Sequence, residues 1–353
     1  MLLRAGIIGM GKMGRAHADW IMANKDMELV AICEKNEQRT AALKAEYDAK
    51  VYSDIDTFLA ESALDIVVVV TTNEVHEIIT VKALDAGAHV IVEKPMSLDY
   101  PSTQRMIAAA EKNGKRIFVH QSSRWDRDYF LVCDAIRSGQ LGDVLCIQSK
   151  VMFCDEGWPS WGIDGMANPW RIKAQYGGGM LLDWGPHLVD QMLQMMGRLP
   201  ARIFGTVQAG VWSREVDDYF FAMLDFDNGV VCQIECSNNA KLDLPRWYVV
   251  GTKGTLVVKG RREPFWDEAE ITYCDAYGKQ RSEAIRLHGV KESGLEGGFY
   301  DALIPYLKGE IDEFVEMEQA SDVIKTLDLI KKSSAWRKIV SWDEYKQGEK
   351  YHG

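Results

Sequence analysis

Apolar and polar positions change rhythm about a third of the way along the chain. Up to residue 120, short apolar runs alternate with stretches whose apolar positions recur at helical spacing. Ala5–Ile8, Glu28–Cys33, Asp65–Val70, His89–Val92 and Ile117–His120 read as strands. Met13–Ala23, Glu37–Glu46, Val75–Ala86 and Ser102–Lys112 read as the helices between them, the last two stopping at Gly87 and Gly114. Asp65–Val70 is β-branched and apolar after its first residue, as in a strand buried on both faces. Such alternation predicts βαβ units and a parallel sheet, an α/β domain over residues 1–120.

From 121 to 353 the pattern predicts a second domain, of α+β type. Asp128–Ser138 reads as a helix ending at Gly139, and Met180–Met196 as another. Residues 153–179, rich in Trp, Gly and Pro, read as a long loop. Phe220–Phe226, Val230–Cys236, Trp247–Val250 and Thr255–Val258 alternate like strands, and Asp227-Asn228-Gly229 marks a hairpin turn. Consecutive strands on short turns predict a large, mostly antiparallel sheet. Residues 313–338 return to helix.

Composition refines this picture. A length of 353 residues suits two domains, and 47% hydrophobic with 26% charged residues is ordinary for a globular chain. No apolar run approaches the roughly 20 residues that span a bilayer. Met1-Leu2-Leu3-Arg4 leads straight into the first strand, so a cytoplasmic protein without a leader is expected. The formal net charge of −11 repels phosphate backbones and argues against nucleic acid as a partner. The seven cysteines are scattered, without the spacing of a metal site, and are expected to be reduced thiols.

Gly9-Met10-Gly11-Lys12-Met13-Gly14 follows a predicted strand and opens a predicted helix, the context a dinucleotide-binding GxGxxG turn requires. Gly9 permits the tight turn, Gly11 lets the backbone approach a pyrophosphate, and Gly14 lets the helix pack against the sheet. Lys12 and Met13 lie in the same turn and count among the cofactor-binding residues. Glu34 ends the second strand, 20 residues after Gly14. A carboxylate there accepts hydrogen bonds from ribose hydroxyls and repels a 2′-phosphate, which favours NAD over NADP. Lys35 and Arg39 are the opposing features, since both could neutralise a phosphate.

Candidate chemistry sits in two motifs. Glu93-Lys94-Pro95 lies at the C-terminal end of a predicted parallel strand, where open α/β sheets bind ligands. A lysine there can hydrogen-bond a substrate oxygen and stabilise developing negative charge. Its alternative is a surface lysine at a strand end. In Gly177–Asp190, Asp183 and His187 are four apart and would share a helix face, and a histidine with a carboxylate partner is a good base near neutral pH. A surface ion pair, or metal ligation together with Asp190, are the other readings of this pair. No metal is assigned.

The motifs Gly6–His17, Asp65–Val70 leading to Thr71-Thr72-Asn73 with His76, Glu93-Lys94-Pro95, Ile136–Gly142 and Gly177–Asp190 resemble, in order and spacing, the glucose–fructose oxidoreductase/inositol dehydrogenase/MocA-like (Gfo/Idh/MocA) oxidoreductases. The resemblance covers nearly the whole chain. It implies a Rossmann domain followed by an α+β domain whose open sheet makes a homodimer or tetramer. It implies Lys94, Asp183 and His187 as catalytic residues, with His187 taking a hydroxyl proton as hydride leaves the same carbon for nicotinamide C4. Asp183 would orient His187 or hold a substrate hydroxyl. Thr71, Asn73 and Glu93 would line the nicotinamide side, with His76 and Lys94 counted among the cofactor residues. The Lys–Pro bond is often cis in such proteins. Two departures are Thr71-Thr72-Asn73, where proline commonly precedes the asparagine, and Glu34, where aspartate is commoner.

The resemblance implies a sugar, polyol or glycoside substrate. The loop's Trp158, Trp161 and Trp170, then Trp184, with Trp125 nearer the first domain, offer faces that stack on sugar rings. Arg124 and Arg171 offer forked donors for hydroxyls or a carboxylate. Trp158, Trp170, Arg124 and Arg171 join Lys94, Asp183 and His187 as substrate-binding candidates. The expected reaction is oxidation of a secondary ring hydroxyl, such as C3 of a glucoside. Two alternatives are a glycoside hydrolase or lyase that oxidises its substrate transiently, and a non-catalytic dinucleotide-binding regulator.

Overall fold

The alternation of the first third folds into β1 (Leu3–Ile8), α1 (Lys12–Ala23), β2 (Met27–Cys33), α2 (Glu37–Glu46), β3 (Lys50–Tyr52), α3 (Ile55–Glu61), β4 (Ile66–Val69), α4 (His76–Asp85), β5 (His89–Val92), α5 (Tyr100–Asn113) and β6 (Ile117–Val119). The computed structural model describes residues 2–154, 158–160, 169–259, 268–274, 278–286 and 298–345. The first six strands form one sheet in the order β3-β2-β1-β4-β5-β6, with every pair parallel. The chain winds outward from β1 on one side and from β4 on the other, so the switch point lies between them. Ile66, Val67, Val68 and Val69 are fully buried, which explains why β4 has no polar alternation. The apolar pattern gives no sign of β3 and α3. β3 is a three-residue edge strand, and α3 is started by Asp54, whose side chain accepts from Thr57 N at 2.8 Å.

The remaining elements are α6 (Arg127–Arg137), β7 (Val144–Met152), α7 (Met180–Asp183), α8 (Gly185–Met196), β8 (Arg202–Gln208), β9 (Tyr219–Asp225), β10 (Val231–Ser237), β11 (Trp247–Gly251), β12 (Gly254–Val258), β13 (Glu268–Cys274), β14 (Gln280–Arg286), α9 (Gly298–Leu307), α10 (Met317–Trp336) and β15 (Val340–Ser341). Nine strands form a second sheet in the order β14-β13-β12-β11-β7-β10-β9-β8-β15. β7 and β10 run parallel and the other pairs are antiparallel, so the sheet is mostly antiparallel as expected. The hairpin at Asp227–Gly229 closes with Phe226 N donating to Val230 O at 3.1 Å, and Gly229 takes φ +84°.

The single helix expected over 180–196 is two, α7 and α8, divided at Trp184. Pro186 has no N–H to continue the ladder, so it serves as an early residue of a new helix. The long loop contains short 3-10 turns at Trp158–Ser160, Trp170–Ile172 and Ala174–Tyr176. Trp161 lies outside the described residues. No helix among the described residues is long and apolar enough to cross a membrane.

The chain divides into two compact units, one of Met1–Gln121, Gly157–Gly177 and Gly297–Ile324, the other of Ser122–Glu156, Gly178–Glu296 and Lys325–Gly353. In the first, the core is the parallel sheet with its flanking helices. In the second, alternate residues of the nine-stranded sheet are buried, among them Phe220, Ala222, Leu224, Cys232, Ile234 and Cys236. Trp247 is fully buried there, and its Nε1 donates to Asp128 Oδ2 at 2.9 Å, tying β11 to α6. Arg246 also reaches Asp128, at 3.1 Å. Truncating Trp247 to Ala leaves a cavity and removes one of the donors on a buried carboxylate. Trp247→Ala should therefore destabilise the fold by about 3–5 kcal/mol, read as a lower midpoint in urea. An unchanged midpoint would remove Trp247 from the core that holds this sheet.

Candidate functional site

In the first unit, the end of β1 turns into α1 with almost no free volume. Gly9 has φ +98°, and a Cβ there would lie 2.3 Å from Val70 O. A Cβ on Gly14 would lie 2.1 Å from Gly9 O, so the helix can approach the turn only because residue 14 has no side chain. Helices α2, α3 and α5 are each capped by a side chain, from Asn36, Asp54 and Asp99. α1 has Gly11 as its N-cap residue, with no side-chain cap and no acidic residue in its first turn. Its first N–H groups and dipole are thus arranged for an anion, and the pyrophosphate of a dinucleotide fits that place. Lys12 is exposed in this turn and Met13 half-buried.

Glu34 follows β2 at the same sheet edge and is buried. Its Oε2 accepts from Met10 N at 3.0 Å and its Oε1 from Asn36 N at 2.9 Å. Arg39 Nη1 stands 3.3 Å from Oε2. The carboxylate therefore bridges the glycine-rich turn to the start of α2, with a guanidinium beside it. Lys35 is exposed.

After β4 come Thr71 and Asn73, and after β5 come Glu93 and Lys94. His76 Nδ1 lies 2.8 Å from Pro95 O and Nε2 lies 3.3 Å from Thr71 O, so one imidazole spans both strand ends. Burial lowers the His76 pKa, so the ring is neutral at pH 7, and the shorter contact marks Nδ1 as its donor to Pro95. Asn73 Nδ2 donates to Gly177 O at 2.8 Å, fixing the end of the 169–177 segment. Gly177 has φ +68° and a Cβ there would lie 2.1 Å from Leu98 Cδ2. The Lys94–Pro95 peptide is cis.

Beside Lys94, Glu93, which the resemblance places among the nicotinamide residues, joins a buried group whose other members the sequence reading does not assign. Glu93 Oε1 accepts from His17 Nε2 at 2.9 Å and from His120 Nδ1 at 2.9 Å, while Oε2 accepts from Lys94 N at 3.1 Å. Tyr300 Oη lies 2.6 Å from His17 Nδ1. His17, Glu93 and His120 are the one group of metal-ligating side chains that converges among the described residues. Their facing atoms are already joined by hydrogen bonds of ordinary length. Burial lowers the His17 pKa to about 4 against the opposing pull of Glu93. Burial pushes the Glu93 carboxyl up, but the facing imidazoles outweigh it and hold the group well below the usual carboxylate range. The available signal for this group was His17, three residues beyond Gly14 on the buried face of α1.

Within the 169–177 segment, Arg171 is buried and its guanidinium stacks on the Trp170 ring at 4.4 Å. Trp158 is buried as well.

In the second unit, Asp183 ends α7 and His187 lies in the first turn of α8. Asp183 is half-buried, His187 is buried, and the Trp184 ring lies 5.6 Å from the His187 ring. A Cβ on Gly185 would lie 2.8 Å from Leu327 Cδ2, so that glycine lets α8 pack close to α10. Asp190, one turn after His187, holds Arg124 through two hydrogen bonds, at 2.8 and 2.7 Å. The fork of Arg124 is thus committed to a carboxylate of the protein. The start of α7 is held by Asp217, also absent from the sequence reading. Its Oδ2 accepts from Leu181 N at 2.7 Å and its carbonyl from Met180 N at 3.0 Å. Gly179 has φ +105°, and a Cβ there would lie 2.3 Å from Asp217 Oδ1. Burial pushes the Asp217 carboxyl up to about 7, against the pull of the Leu181 N–H.

A family model described as an oxidoreductase family with an NAD-binding Rossmann fold matches residues 3–121. The GFO/IDH/MocA C-terminal domain matches residues 131–257. D-glucoside 3-dehydrogenase of Escherichia coli (strain K12) is 29% identical over 253 residues, covering 67% of this chain and 70% of its own. scyllo-Inositol 2-dehydrogenase (NADP(+)) of Bacillus subtilis (strain 168) is 28% identical over 227 residues, covering 64% of this chain and 60% of its own. The crystal structure of an NAD-binding protein from Listeria innocua superposes with a TM-score of 0.84 at 26% identity, covering 98% of each chain.

Two predictions come from these environments. Glu34→Ala removes the expected ribose acceptor and takes the carboxylate away from Arg39, which could then meet a 2′-phosphate. It should weaken NADH binding by about tenfold, the worth of one charge-assisted hydrogen bond, and strengthen NADPH binding, both read by cofactor fluorescence. NADPH binding no tighter than in the wild type would contradict the assignment. Asp217, raised in the folded state, favours folding when protonated, and that contribution is lost as pH rises from about 4 through about 7. Asp217→Asn, which keeps an acceptor for Leu181, should raise the melting temperature at pH 8 by clearly more than at pH 5.5. Equal shifts at both pH values would show that the carboxyl is not raised.

Proposed function

The chain belongs to the Gfo/Idh/MocA oxidoreductase family and carries its NAD-binding Rossmann domain, and from that premise we propose that it oxidises a secondary ring hydroxyl of a sugar, polyol or glycoside, C3 of a glucoside being the specific candidate. The observation that carries the reading is the presence, in one chain, of a lysine at the C-terminal end of β5 and of an Asp and a His at the α7–α8 junction. Similarity to a D-glucoside 3-dehydrogenase supports the same carbon, and similarity to a scyllo-inositol 2-dehydrogenase supports the wider class of ring polyols. When bound, the nicotinamide accepts the hydride at C4.

The chain's own residues supply the rest. His187 takes the proton of the reacting hydroxyl at one of its ring nitrogens, and Asp183 orients it or holds a neighbouring hydroxyl. Lys94 donates to the substrate oxygen and stabilises the negative charge that develops there. Trp184, Trp158 and the stacked Trp170–Arg171 pair suit the apolar faces and hydroxyl edges of a sugar ring. NAD is the preferred cofactor, because Glu34 stands where a 2′-phosphate would need room and positive charge.

The test is absorbance at 340 nm with NAD+ against glucosides, free sugars and inositols, for wild type, Lys94→Ala and His187→Ala. Turnover of a glucoside or inositol is expected, with kcat/KM reduced about 100-fold or more in both variants, the usual weight of a positioned acid–base group. Turnover confined to imines or aliphatic hydroxy acids would overturn the substrate class. Full activity in either variant would overturn its assigned part.

A further inference from the structure

The hydrogen-bond directions around Glu93 are fixed by what each atom can do. A carboxylate only accepts, so His17 Nε2 and His120 Nδ1 both carry protons toward Oε1. His17 Nδ1 meets the Tyr300 hydroxyl at 2.6 Å, and a phenol donating there makes His17 a neutral ring. The neutral state agrees with the lowering of its pKa by burial. His120 Nε2 is buried and has no hydrogen-bond partner. The Phe299 ring packs edge-on at 4.8 Å and the Trp20 ring lies at 5.4 Å. An acceptor-only nitrogen tolerates such a setting, whereas a charged N–H would lose its hydration without recompense. The third donor is the backbone N–H of Lys94. Where His120 carries its single proton on Nδ1, all three donors to the carboxylate are neutral groups. They stabilise its negative charge without cancelling it.

This charge has a defined place in the sheet. Glu93 follows β5 and His120 follows β6, on the β4-β5-β6 side of the switch point. The glycine-rich turn between β1 and α1 takes the pyrophosphate, and the second half of such a sheet takes the second mononucleotide, here the nicotinamide half. The nicotinamide ring is a cation when oxidised and neutral when reduced. A fixed carboxylate on that side favours the oxidised form.

We propose that Glu93 is a buried, fixed negative charge that makes the protein bind oxidised nicotinamide in preference to reduced, and that His17, His120 and Tyr300 are positioning residues that hold this charge in place. The four come from α1, the end of β5, the end of β6 and α9, so the helix of the phosphate turn and the strand end bearing Lys94 share one buried anchor. The inference rests on dinucleotide binding and is independent of the substrate reading.

The experiment uses the full chain and needs no sugar. Dissociation constants for NAD+ and NADH are measured by calorimetry for wild type, Glu93→Gln, Glu93→Asp and Tyr300→Phe. Glu93→Gln keeps the shape and removes the charge. It should weaken NAD+ relative to NADH roughly tenfold, the loss of one unit charge acting on a cationic ring through an effective dielectric near 20. Glu93→Asp and Tyr300→Phe keep the charge and should keep the ratio within about twofold of wild type, even where both affinities fall. An unchanged ratio in Glu93→Gln overturns the proposal, because a merely structural residue would shift both affinities alike. Should Glu93→Gln fail to fold, nitrogen-15 NMR of the wild-type imidazoles decides. Neutral rings at pH 7, with His17 protonated on Nε2 and His120 on Nδ1, support the proposal. An imidazolium at either position neutralises the charge and overturns it.

Discussion

A parallel sheet delivers all its C-terminal ends to one edge, and the chemistry of this protein is organised by that constraint. Gly9 follows β1, Glu34 follows β2, Thr71 follows β4, Glu93 and Lys94 follow β5, and His120 follows β6. Residues spread over more than a hundred positions thus converge without any loop having to search for its place. The crowding at this edge is the cost of the convergence. Residues 9 and 14 admit no Cβ, and the carbonyl of residue 9 fills the space that a side chain at 14 would need. The turn can therefore offer bare backbone N–H groups to a phosphate, which no longer side chain would permit.

Buried charge is managed differently in the two units. In the first, Glu93 accepts from two imidazoles and the Lys94 N–H and is held well below the usual carboxylate range. In the second, Asp190 is paired with Arg124 and Asp128 with Arg246, so each carboxylate meets a guanidinium. Asp217 and Asp218 differ: Asp217 Oδ2 accepts from Leu181 N and burial raises its pKa, while Asp218 Oδ2 accepts from the N–H groups of Val211 and Trp212. A carboxylate with a full cationic partner is a structural tie. One held by neutral donors still exerts a field, which separates Glu93 from the ion pairs of the second unit.

The sequence exposes features whose signal is local. The GxGxxG turn, Glu34, and Lys94 at its strand end are readable because a few neighbouring residues define the geometry. β7 is hidden in the sequence because a buried position in its middle is Ser149, which breaks the apolar alternation and takes its hydrogen bond from Arg246, far along the chain. The break at Trp184 needed the missing N–H of Pro186 to be weighed above the apolar periodicity of 180–196. The Glu93 cluster was illegible for a third reason. His17 and Tyr300 are 283 residues apart, and no periodicity in a sequence links them. Arg124 shows the converse: as a sequence feature it is an available fork, while in the fold that fork grips Asp190.

The proposed reaction carries hydride from a ring carbon of a sugar to a dinucleotide held on the parallel sheet. It is tested most directly by incubating the protein with NAD+ and a glucoside carrying deuterium at C3, and then weighing the cofactor by mass spectrometry. Reduced cofactor bearing deuterium from the sugar is the expected result. Cofactor without the label, with the deuterium retained by the glucoside or released to water, would contradict it.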